Sequence, residues 1–550
     1  MGIKRKVKKI IKRSIKVIDS GIFHNSISKR YTRYKMIHGE SIYNFKAKYH
    51  GVMDNGKLVK VLAEKEYSVN DIFLAQYYGG DYSNYKHMDA AVRMLAVEAL
   101  YGKNDTGFEM YQRMQAPSGF DWSDRYKELI LSYEKNGYQE NSRIELSKDL
   151  DIRDGSHRLT LALYHKQEFV NGKVLNIVRN RIFDYDFFWK NRFTAEECRL
   201  IKNKCDEILE SVNYDFLGVI WPPAVQFSEE IINELKVYLP EQIRVYEVND
   251  YILEKGDFQH IFKGIYHTDI LDNDGMELKL SQIQSCMSEE CNEWPIRIFK
   301  LHIDNPQIGI NAKNYTTQSK MVMRIKKAFR ERYAVQIPNY QYDVIMHIAD
   351  NYLQSKFCRI LFEINRDISE FFNLIGNYEY VVLRAKKSRQ HPVFPRKFYF
   401  RGDTDILTKY PCPVCEIAHN FSLTHFNNEW IRVERKEENA QKKVIIWLRD
   451  FMVFQFEFMD SIYGLDDKFA QECLNNVICD SGYKYLSDSD EIIIRILEYY
   501  HKPSKKWYKK YIREHIELLD ENRLYEHLNT DLVSKKSIKK FIENMRRLAE

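Results

Sequence analysis

The chain has 550 residues, of which 44% are hydrophobic and 29% are charged, and its formal net charge is +6. This length predicts several domains, and the composition predicts globular ones, which excludes disordered and fibrous proteins. A net charge this small on so long a chain does not favour a nucleic-acid-binding protein. The nine cysteines are scattered and odd in number, which indicates reduced thiols. No apolar run approaches the roughly 18 residues that span a bilayer.

Residues 1–20 form a basic amphipathic pattern. Lysines and arginines occupy eight of the first 16 positions, and isoleucines and valines recur between them at helical intervals. Such a helix can lie on an anionic membrane, because basic residues are attracted to the surface while the apolar face is buried. We therefore expect a cytoplasmic protein, peripheral at the inner face of the cytoplasmic membrane. A solvated basic tail is the alternative.

The region from 40 to 212 mixes strand and helix patterns. Lys57–Leu62 and Val174–Val178 are strand-like, whereas Asp89–Tyr101 and Thr194–Val212 have the apolar spacing of helices. These patterns predict an α+β domain that ends near residue 212.

Within this region, the segment LDIRDGSHRLTLALY at 150–164 predicts a strand, a glycine turn and a helix. Gly155 lets the backbone approach a ligand, and the first amides of the helix have no intrahelical partner. His157 and Arg158 would add charge-assisted donors at the same point. The sequence therefore predicts a phosphate-binding turn, with an Asp154 helix cap and an ordinary Arg158 ion pair as the alternative.

The segment Asp154–Leu159 resembles the ParB/sulfiredoxin superfamily, in which a comparable turn binds nucleotide phosphates. The resemblance implies that Gly155, Ser156, His157 and Arg158 contact phosphate, and that Asp154 holds the turn or a metal. It also implies catalytic roles for Asp154 and His157, with ATP or CTP as co-substrate. Ser156 stands where sulfiredoxin has its cysteine, which argues against sulfinic acid reduction.

A mixed α/β middle domain is predicted for residues 213–377. The apolar strand Phe216–Trp221 is stopped by prolines, and the pattern continues through Glu293–Ile303 to a helix at Lys320–Arg332. Leu301–Asn305 and Met346–Asn351 each end an apolar strand with a polar cluster, a common place for ligands in α/β domains. The candidates for orienting a sugar hydroxyl, or for acid and base roles, are His347, Asp350 and Asn351. Capping of the following helix by the histidine and the aspartate is the alternative role.

The region 378–550 opens with a predicted strand at Tyr378–Arg384 and becomes helical after Asp466. Between them, the segment FYFRGDTDIL places Asp403 and Asp405 two residues apart on a strand, so both would face one side. Two carboxylates so close repel each other unless a cation joins them, and Mg²⁺ (or Mn²⁺) is the natural occupant. A solvated turn is the alternative for this motif.

The segment Gly402–Asp405 resembles the nucleotidyltransferase superfamily, as found among bacterial capsule and lipopolysaccharide proteins. The resemblance implies metal binding by Asp403 and Asp405, phosphate contacts by Arg401 and Gly402, and a third carboxylate on a neighbouring strand. Glu457 is the favoured third carboxylate, since it lies in the strand-like run Val453–Met459. The alternatives are Asp450 and Asp460.

A zinc site is a weaker possibility. Cys412 and Cys415 are spaced as in CxxC sites, and His419 and His425 follow, but there is no second CxxC and the histidine spacing fits no known finger.

The patterns predict an α/β and α+β multidomain protein with a mixed α/β middle domain and a helical C-terminal tail. The two resemblances imply a ParB/sulfiredoxin-like N-terminal domain and a nucleotidyltransferase-like C-terminal domain. The expected function is NTP- and Mg²⁺-dependent transfer of a phospho-group or a nucleotidyl group, kinase-like or nucleotidyltransferase-like, to a small sugar phosphate or a glycan. Two alternatives stay open: a metal-dependent glycosyltransferase and a non-catalytic ParB-like nucleotide-binding adaptor.

Overall fold

The structure is a computed structural model that describes residues 51–548 apart from short internal gaps. The gaps are residues 55–56, 79–85, 120, 140–142, 180, 270–272, 288–292, 339, 341–342, 365–367, 384–403, 439–440, 481–482 and 504–505. The basic segment 1–20 and the candidate residues Arg401, Gly402 and Asp403 therefore lie outside the described residues. The described chain is mixed α/β, as the sequence predicts, with its main sheets in three successive stretches.

The first unit contains a five-stranded sheet in the order β1-β2-β5-β3-β4, in which only β3 and β5 are parallel. Its strands are β1 (Gly51–Asp54), β2 (Lys57–Ser68), β3 (Ile144–Leu146), β4 (Ile152–Asp154) and β5 (Phe169–Leu175). Its helices are α1 (Val69–Tyr78), α2 (Asp89–Leu100), α3 (Gly107–Gln115), α4 (Ser123–Asn136), α5 (Ser156–Tyr164), α6 (Tyr185–Lys190) and α7 (Ala195–Val212).

The structure confirms the helix predicted at Thr194–Val212, which is α7 with Thr194 as its N-cap. The Thr194 hydroxyl accepts the backbone N–H of Glu197, and the Glu197 carboxylate accepts the backbone N–H of Thr194, which forms a capping box. Its buried residues then recur at helical spacing: Cys198, Ile201, Cys205, Ile208 and Val212.

The middle unit is built on an antiparallel sheet in the order β11-β6-β8-β7, with β9 and β10 forming a separate pair. Its strands are β6 (Phe216–Ile220), β7 (Ile243–Glu254), β8 (Glu293–Ile303), β9 (Ile308–Ile310), β10 (Thr317–Ser319) and β11 (Met346–Ile348). Its helices are α8 (Ser228–Val237), α9 (Lys255–His267), α10 (Asn273–Cys286), α11 (Lys320–Ala334) and α12 (Tyr352–Glu363).

The third unit has a seven-stranded sheet in the order β14-β15-β16-β13-β12-β18-β17, in which β13 runs parallel to β16 and β12 parallel to β18. Its strands are β12 (Tyr380–Leu383), β13 (Thr404–Thr408), β14 (Ile431–Glu438), β15 (Gln441–Leu448), β16 (Phe451–Met459), β17 (Ile478–Asp480) and β18 (Tyr483–Tyr485). Its helices are α13 (Ser369–Leu374), α14 (Pro411–His425), α15 (Asp467–Asn475), α16 (Asp488–His501), α17 (Lys506–His515), α18 (Glu521–His527) and α19 (Lys535–Arg547).

The units share their hydrophobic cores, because the central strands are buried on both faces. On β6, Phe216 and Ile220 face a core shared with the first unit, whereas Leu217 and Val219 face a core shared with the third sheet. On β13, Ile406 faces this second core, and the adjacent Leu407 faces a third core under the C-terminal helices. Strand alternation thus stacks the three units against one another. Among the described residues, no helix is long and apolar enough to cross a membrane.

Candidate functional site

The predicted phosphate turn has the expected backbone. Strand β4 ends at Asp154, Gly155 has a φ of 102°, and helix α5 begins at Ser156. A side chain at position 155 would adopt a left-handed conformation and place its Cβ 3.1 Å from the Ile144 side chain. The first i→i−4 bond of the helix runs from the Leu159 N–H to the Gly155 carbonyl, 2.9 Å away. The amides before Leu159 therefore form the unpaired N-terminus of the helix.

Arg158 lies at the mouth of this turn. Its guanidinium is 3.1 Å from the Asp154 carboxylate and donates a 2.7 Å hydrogen bond to the Arg143 carbonyl. The side chain of Asp154 is 66% exposed, so this ion pair is only weakly stabilising. The sequence left two roles open for Arg158, an ion pair and a phosphate contact, and the structure shows the ion pair with Asp154.

His157 differs from the expectation that it adds a charged donor. Its ring faces inward, where Nε2 is 2.6 Å from the Tyr111 hydroxyl and the ring centroid is 4.5 Å from that of Tyr126. Burial, reinforced by the charge of Arg93, lowers the pKa of His157 to about 3. The imidazole is therefore neutral near pH 7, and its contact with Tyr111 holds the start of the helix on the protein interior.

A charged network that the sequence did not reveal lies beneath the turn. His87 contacts Asp151 at 3.1 Å and Asp89 at 3.4 Å, and Arg93 pairs with Asp89 at 2.5 Å. Burial opposes the charged form of His87, but hydrogen bonds and attraction from the two carboxylates outweigh it and raise its pKa to about 9. The i, i+4 spacing of Asp89 and Arg93 was the one available signal. Within this network, Arg93 lowers the pKa of His157 and Asp89 opposes that effect.

In the third unit, Asp405 and Glu457 are direct partners on the parallel strands β13 and β16. Partners in a parallel ladder face the same side of the sheet, so the two carboxyl groups lie next to each other. Asp405 is 4% exposed, and the Glu457 side chain is 13% exposed. Two of the three predicted carboxylates are therefore brought together, while Asp403 lies outside the described residues.

A cation extends this row of charges across a third strand. Lys443 on β15 is the cross-strand partner of Glu457, and its ammonium is 3.3 Å from the Glu457 carboxylate. The amide of Gln455 donates a 3.3 Å hydrogen bond to the same carboxylate. Asp405, Glu457 and Lys443 thus form a line in which Lys443 compensates part of the negative charge.

The alternative third carboxylates lie elsewhere. Asp450 is in the turn before β16, where its carboxylate is 2.8 Å from His267, and the exposed Asp460 follows the end of β16. Neither is a strand partner of Asp405. In the part of the chain that the structure describes, no group of three or more histidine, cysteine or acidic residues forms a metal site. The oxygen donors of Asp405 and Glu457 nevertheless suit Mg²⁺, which prefers carboxylates.

The polar residues at the end of β11 mainly contact other groups of the protein. Asp350 pairs with Lys326 and accepts a hydrogen bond from Gln318 at 3.2 Å. Asn351 caps helix α12 by accepting the Gln354 N–H at 3.0 Å, whereas the sequence offers a histidine and an aspartate for that role. His347 is 2% exposed, and its Nε2 has no hydrogen-bond partner among the described residues.

The cysteines of the CxxC pair do not converge. Both lie in helix α14, where Cys412 is exposed and Cys415 is buried in the second core. His425 stacks on Phe421 at a centroid distance of 4.7 Å. This arrangement gives the zinc interpretation no support among the described residues.

Comparisons of the chain with known protein families, with curated proteins and with solved structures give no match. The function proposed next therefore rests on the residues and contacts described above.

Proposed function

We propose that this protein is an NTP- and Mg²⁺-dependent transferase that moves a phospho-group or a nucleotidyl group to a sugar phosphate or glycan in bacterial cell-surface polysaccharide synthesis. The observation that carries the proposal is the pairing of Asp405 with Glu457 on parallel strands. It brings two carboxyl groups from distant parts of the chain to one face of a sheet.

The adjacent carboxyl groups suit a divalent cation for electrostatic reasons. Two negative charges at neighbouring strand positions repel each other, and a cation that accepts oxygen ligands from both removes the repulsion. Asp405 and Glu457 would hold Mg²⁺ together with Asp403, which stands two residues before Asp405 in the sequence. When bound, Mg²⁺ would neutralise charge on the phosphates that react.

The Gly155 turn would bind the phosphates of a nucleotide. Backbone amides at the start of α5 attract anions, because they are unpaired and lie at the positive end of the helix dipole. Arg158 would exchange its exposed partner Asp154 for a phosphate oxygen, a stronger charge-assisted contact. Neutral His157 would hold the turn through Tyr111.

The proposed location is the inner face of the cytoplasmic membrane. Its support is the basic amphipathic pattern of residues 1–20, which suits an anionic lipid surface. Membrane attachment would bring the enzyme to an acceptor held at that surface.

The test is to incubate the full chain with each NTP, Mg²⁺ and a panel of sugar phosphates, and to follow the products by phosphorus NMR. Pyrophosphate identifies nucleotidyl transfer, and a nucleoside diphosphate with a phosphorylated acceptor identifies phosphoryl transfer. Asp405→Asn and Glu457→Gln should each lower the rate by about a hundredfold or more, because electrostatic stabilisation is a large part of catalysis.

The matched control is Glu437→Gln, which changes an exposed carboxylate on the neighbouring β14–β15 hairpin and should leave the rate unchanged. Wild-type rates in both site variants, with unchanged melting curves, would remove Asp405 and Glu457 from the mechanism.

A further inference from the structure

The middle unit contains a group of cations around a buried histidine. Lys326 donates a 3.2 Å hydrogen bond to the Ile348 carbonyl, and Arg330 donates a 3.0 Å hydrogen bond to the Met346 carbonyl. These carbonyls flank His347 on β11, the edge strand of its sheet. The two cations, one turn apart on α11, therefore lie on either side of His347.

Lys326 and Arg330 both have structural partners. Asp350 pairs with Lys326, and Asp343 lies 3.1 Å from Arg330. Together with the edge carbonyls, these contacts account for the burial of both cations. Lys326 and Arg330 are therefore held in place by these contacts, and the carboxylates of Asp350 and Asp343 compensate their charges.

Lys279 on α10 is different, because it has no carboxylate partner within hydrogen-bond or ion-pair distance among the described residues. Its ammonium lies 5.2 Å from the ring centroid of Tyr266, and the His347 ring meets the same tyrosine edge-on at 4.8 Å. Burial lowers the pKa of Lys279 to about 8, with Arg330 adding to the effect while Asp343 and Asp269 oppose it.

A hydroxyl donor lies at the same end of the unit. Thr268 follows Tyr266 just beyond the end of α9, and its buried Oγ1 has no hydrogen-bond partner among the described residues. The side chain of Gln354 connects this loop to the end of β11, since it donates to the Thr268 carbonyl at 3.4 Å and accepts the Asp350 N–H at 2.7 Å. Lys279 and His347 thus both contact Tyr266, and Thr268 follows Tyr266 by two residues. None of these three donors has an acceptor among the described residues.

We propose that Lys279, His347 and Thr268 bind a phosphate group, either free phosphate or the phosphate of a phosphomonoester. A buried donor without an acceptor costs free energy, and one tetrahedral oxyanion can accept hydrogen bonds from all three side chains. It also supplies the negative charge that Lys279 lacks. A sugar hydroxyl, the ligand expected from the sequence for this cluster, would leave Lys279 without a counter-charge. The site is separate from the Gly155 turn and does not depend on transfer activity.

The first experiment measures whether phosphate protects the Lys279 amine from acetylation. The full chain is acetylated with limiting acetic anhydride at pH 8, with and without phosphate, and modification is quantified by peptide mass spectrometry. A lysine with a pKa of about 8 is about half in its reactive neutral form at pH 8, far more than an ordinary lysine, so Lys279 should be acetylated early, and phosphate should reduce its rate severalfold. Lys263 on the neighbouring α9, which is 47% exposed and paired with Glu277, is the internal control and should be unaffected.

The second experiment measures affinity by calorimetry in an Arg158→Ala background, which removes the anion contact at the Gly155 turn. Phosphate, a hexose 1-phosphate and ATP are compared, so that the source of the phosphate is distinguished. Lys279→Met keeps the aliphatic stem against Tyr266 and should weaken binding of the preferred ligand about tenfold or more. Lys263→Met should not change it.

Two outcomes would overturn the proposal. One is acetylation of Lys279 that is insensitive to phosphate and to both phosphomonoesters. The other is equal affinity in the Lys279→Met and Lys263→Met proteins. Because Lys279 is partly exposed and its substitution leaves the buried His347 unchanged, loss of binding in Lys279→Met with an unchanged melting temperature supports a direct contact.

Discussion

The hydroxyl of Tyr214 donates a 2.6 Å hydrogen bond to the carboxylate of Asp71, and this bond joins the first unit to the middle unit. Thr317 donates a second bond of 2.7 Å to the same carboxylate. Asp71 is 0% exposed and has no cationic partner among the described residues. Burial raises its pKa to about 6, although the hydrogen bonds from Thr317, Tyr214 and the Tyr352 backbone oppose the rise.

This junction predicts a pH-dependent stability. The folded state binds the Asp71 proton more tightly than the unfolded chain, whose carboxyl has an ordinary pKa. The contribution of Asp71 to the free energy of unfolding therefore falls as pH rises from about 4 to about 6, and it stays low above that range. The shift corresponds to about 3 kcal/mol in all.

Asp71→Asn tests this directly, since asparagine can accept a hydrogen bond without carrying a charge. The variant should melt at a higher temperature than the wild type at pH 7.5, and the difference should shrink towards pH 4.5. Thermal melts across this range measure it. A difference that is constant with pH would show that ionisation of Asp71 is not the cause.

Gly155→Ala should destabilise the protein by about 1–2 kcal/mol, because alanine adopts the left-handed conformation at a cost. Its Cβ would also lie 3.1 Å from Ile144 and 3.3 Å from Arg158. Gly102→Ala is the matched control: its φ of 69° imposes backbone strain, but nothing lies within 4 Å of the added Cβ. Denaturant melts should show a larger loss at Gly155 than at Gly102, and equal losses would contradict a close-packed turn.

Arg158→Ala should weaken nucleotide binding by roughly 1.5–3 kcal/mol, the range for a charge-assisted hydrogen bond. Calorimetry with each NTP measures this loss. Arg153→Ala is the control, because Arg153 on β4, just before the turn, pairs with Glu145 on the neighbouring strand β3. Unchanged affinity for every NTP in Arg158→Ala would exclude an anion-binding role for this residue.

Local signals in the sequence predicted individual helices and strands well. Apolar spacing predicted the helix at Thr194–Val212, which is α7, and the prolines after Trp221 predicted the end of β6. The strand, glycine and helix around Gly155 follow from the same kind of local preference. Each of these features depends on residues that lie close together in the sequence.

Long-range relationships could not be predicted in this way. Glu168 accepts hydrogen bonds from Tyr352 at 2.7 Å and Trp430 at 3.1 Å, and Glu168 and Trp430 are 262 positions apart. A carboxylate on the strand beside Asp405 was expected only from the resemblance to nucleotidyltransferases, because strand order is not encoded locally; the register that pairs Asp405 with Glu457 comes from the structure. The inward position of His157 depends on Tyr111 and Tyr126, from two other helices.

Deletion of residues 1–16 should reduce sedimentation with anionic liposomes and leave NTP-dependent activity in solution unchanged. The difference should be greatest at low salt, because screening weakens the attraction between basic residues and lipid headgroups. Liposome pelleting across a salt series measures it. Equal pelleting of the full and shortened chains would place any membrane contact elsewhere.

The last prediction concerns the row formed by Asp405, Glu457 and Lys443. Lys443→Met removes the cation that lies 3.3 Å from Glu457, and the methionine keeps most of the aliphatic volume. Both side chains of this pair are mostly buried, so the loss should be about 1–3 kcal/mol, between the values for exposed and buried ion pairs.

Mg²⁺ should restore part of this loss if the two carboxylates are metal ligands, because a bound cation replaces the missing charge. The rise in melting temperature with added Mg²⁺ should therefore be larger in Lys443→Met than in the wild type, and it should disappear in the double variant Asp405→Asn/Lys443→Met. Lys300→Met in the middle unit, whose lysine is equally buried and pairs with Glu247 instead, is the control and should respond to Mg²⁺ as the wild type does. The same shift in all four proteins would mean that Mg²⁺ acts elsewhere, and Lys443 would then be the permanent counter-ion of a structural carboxylate pair.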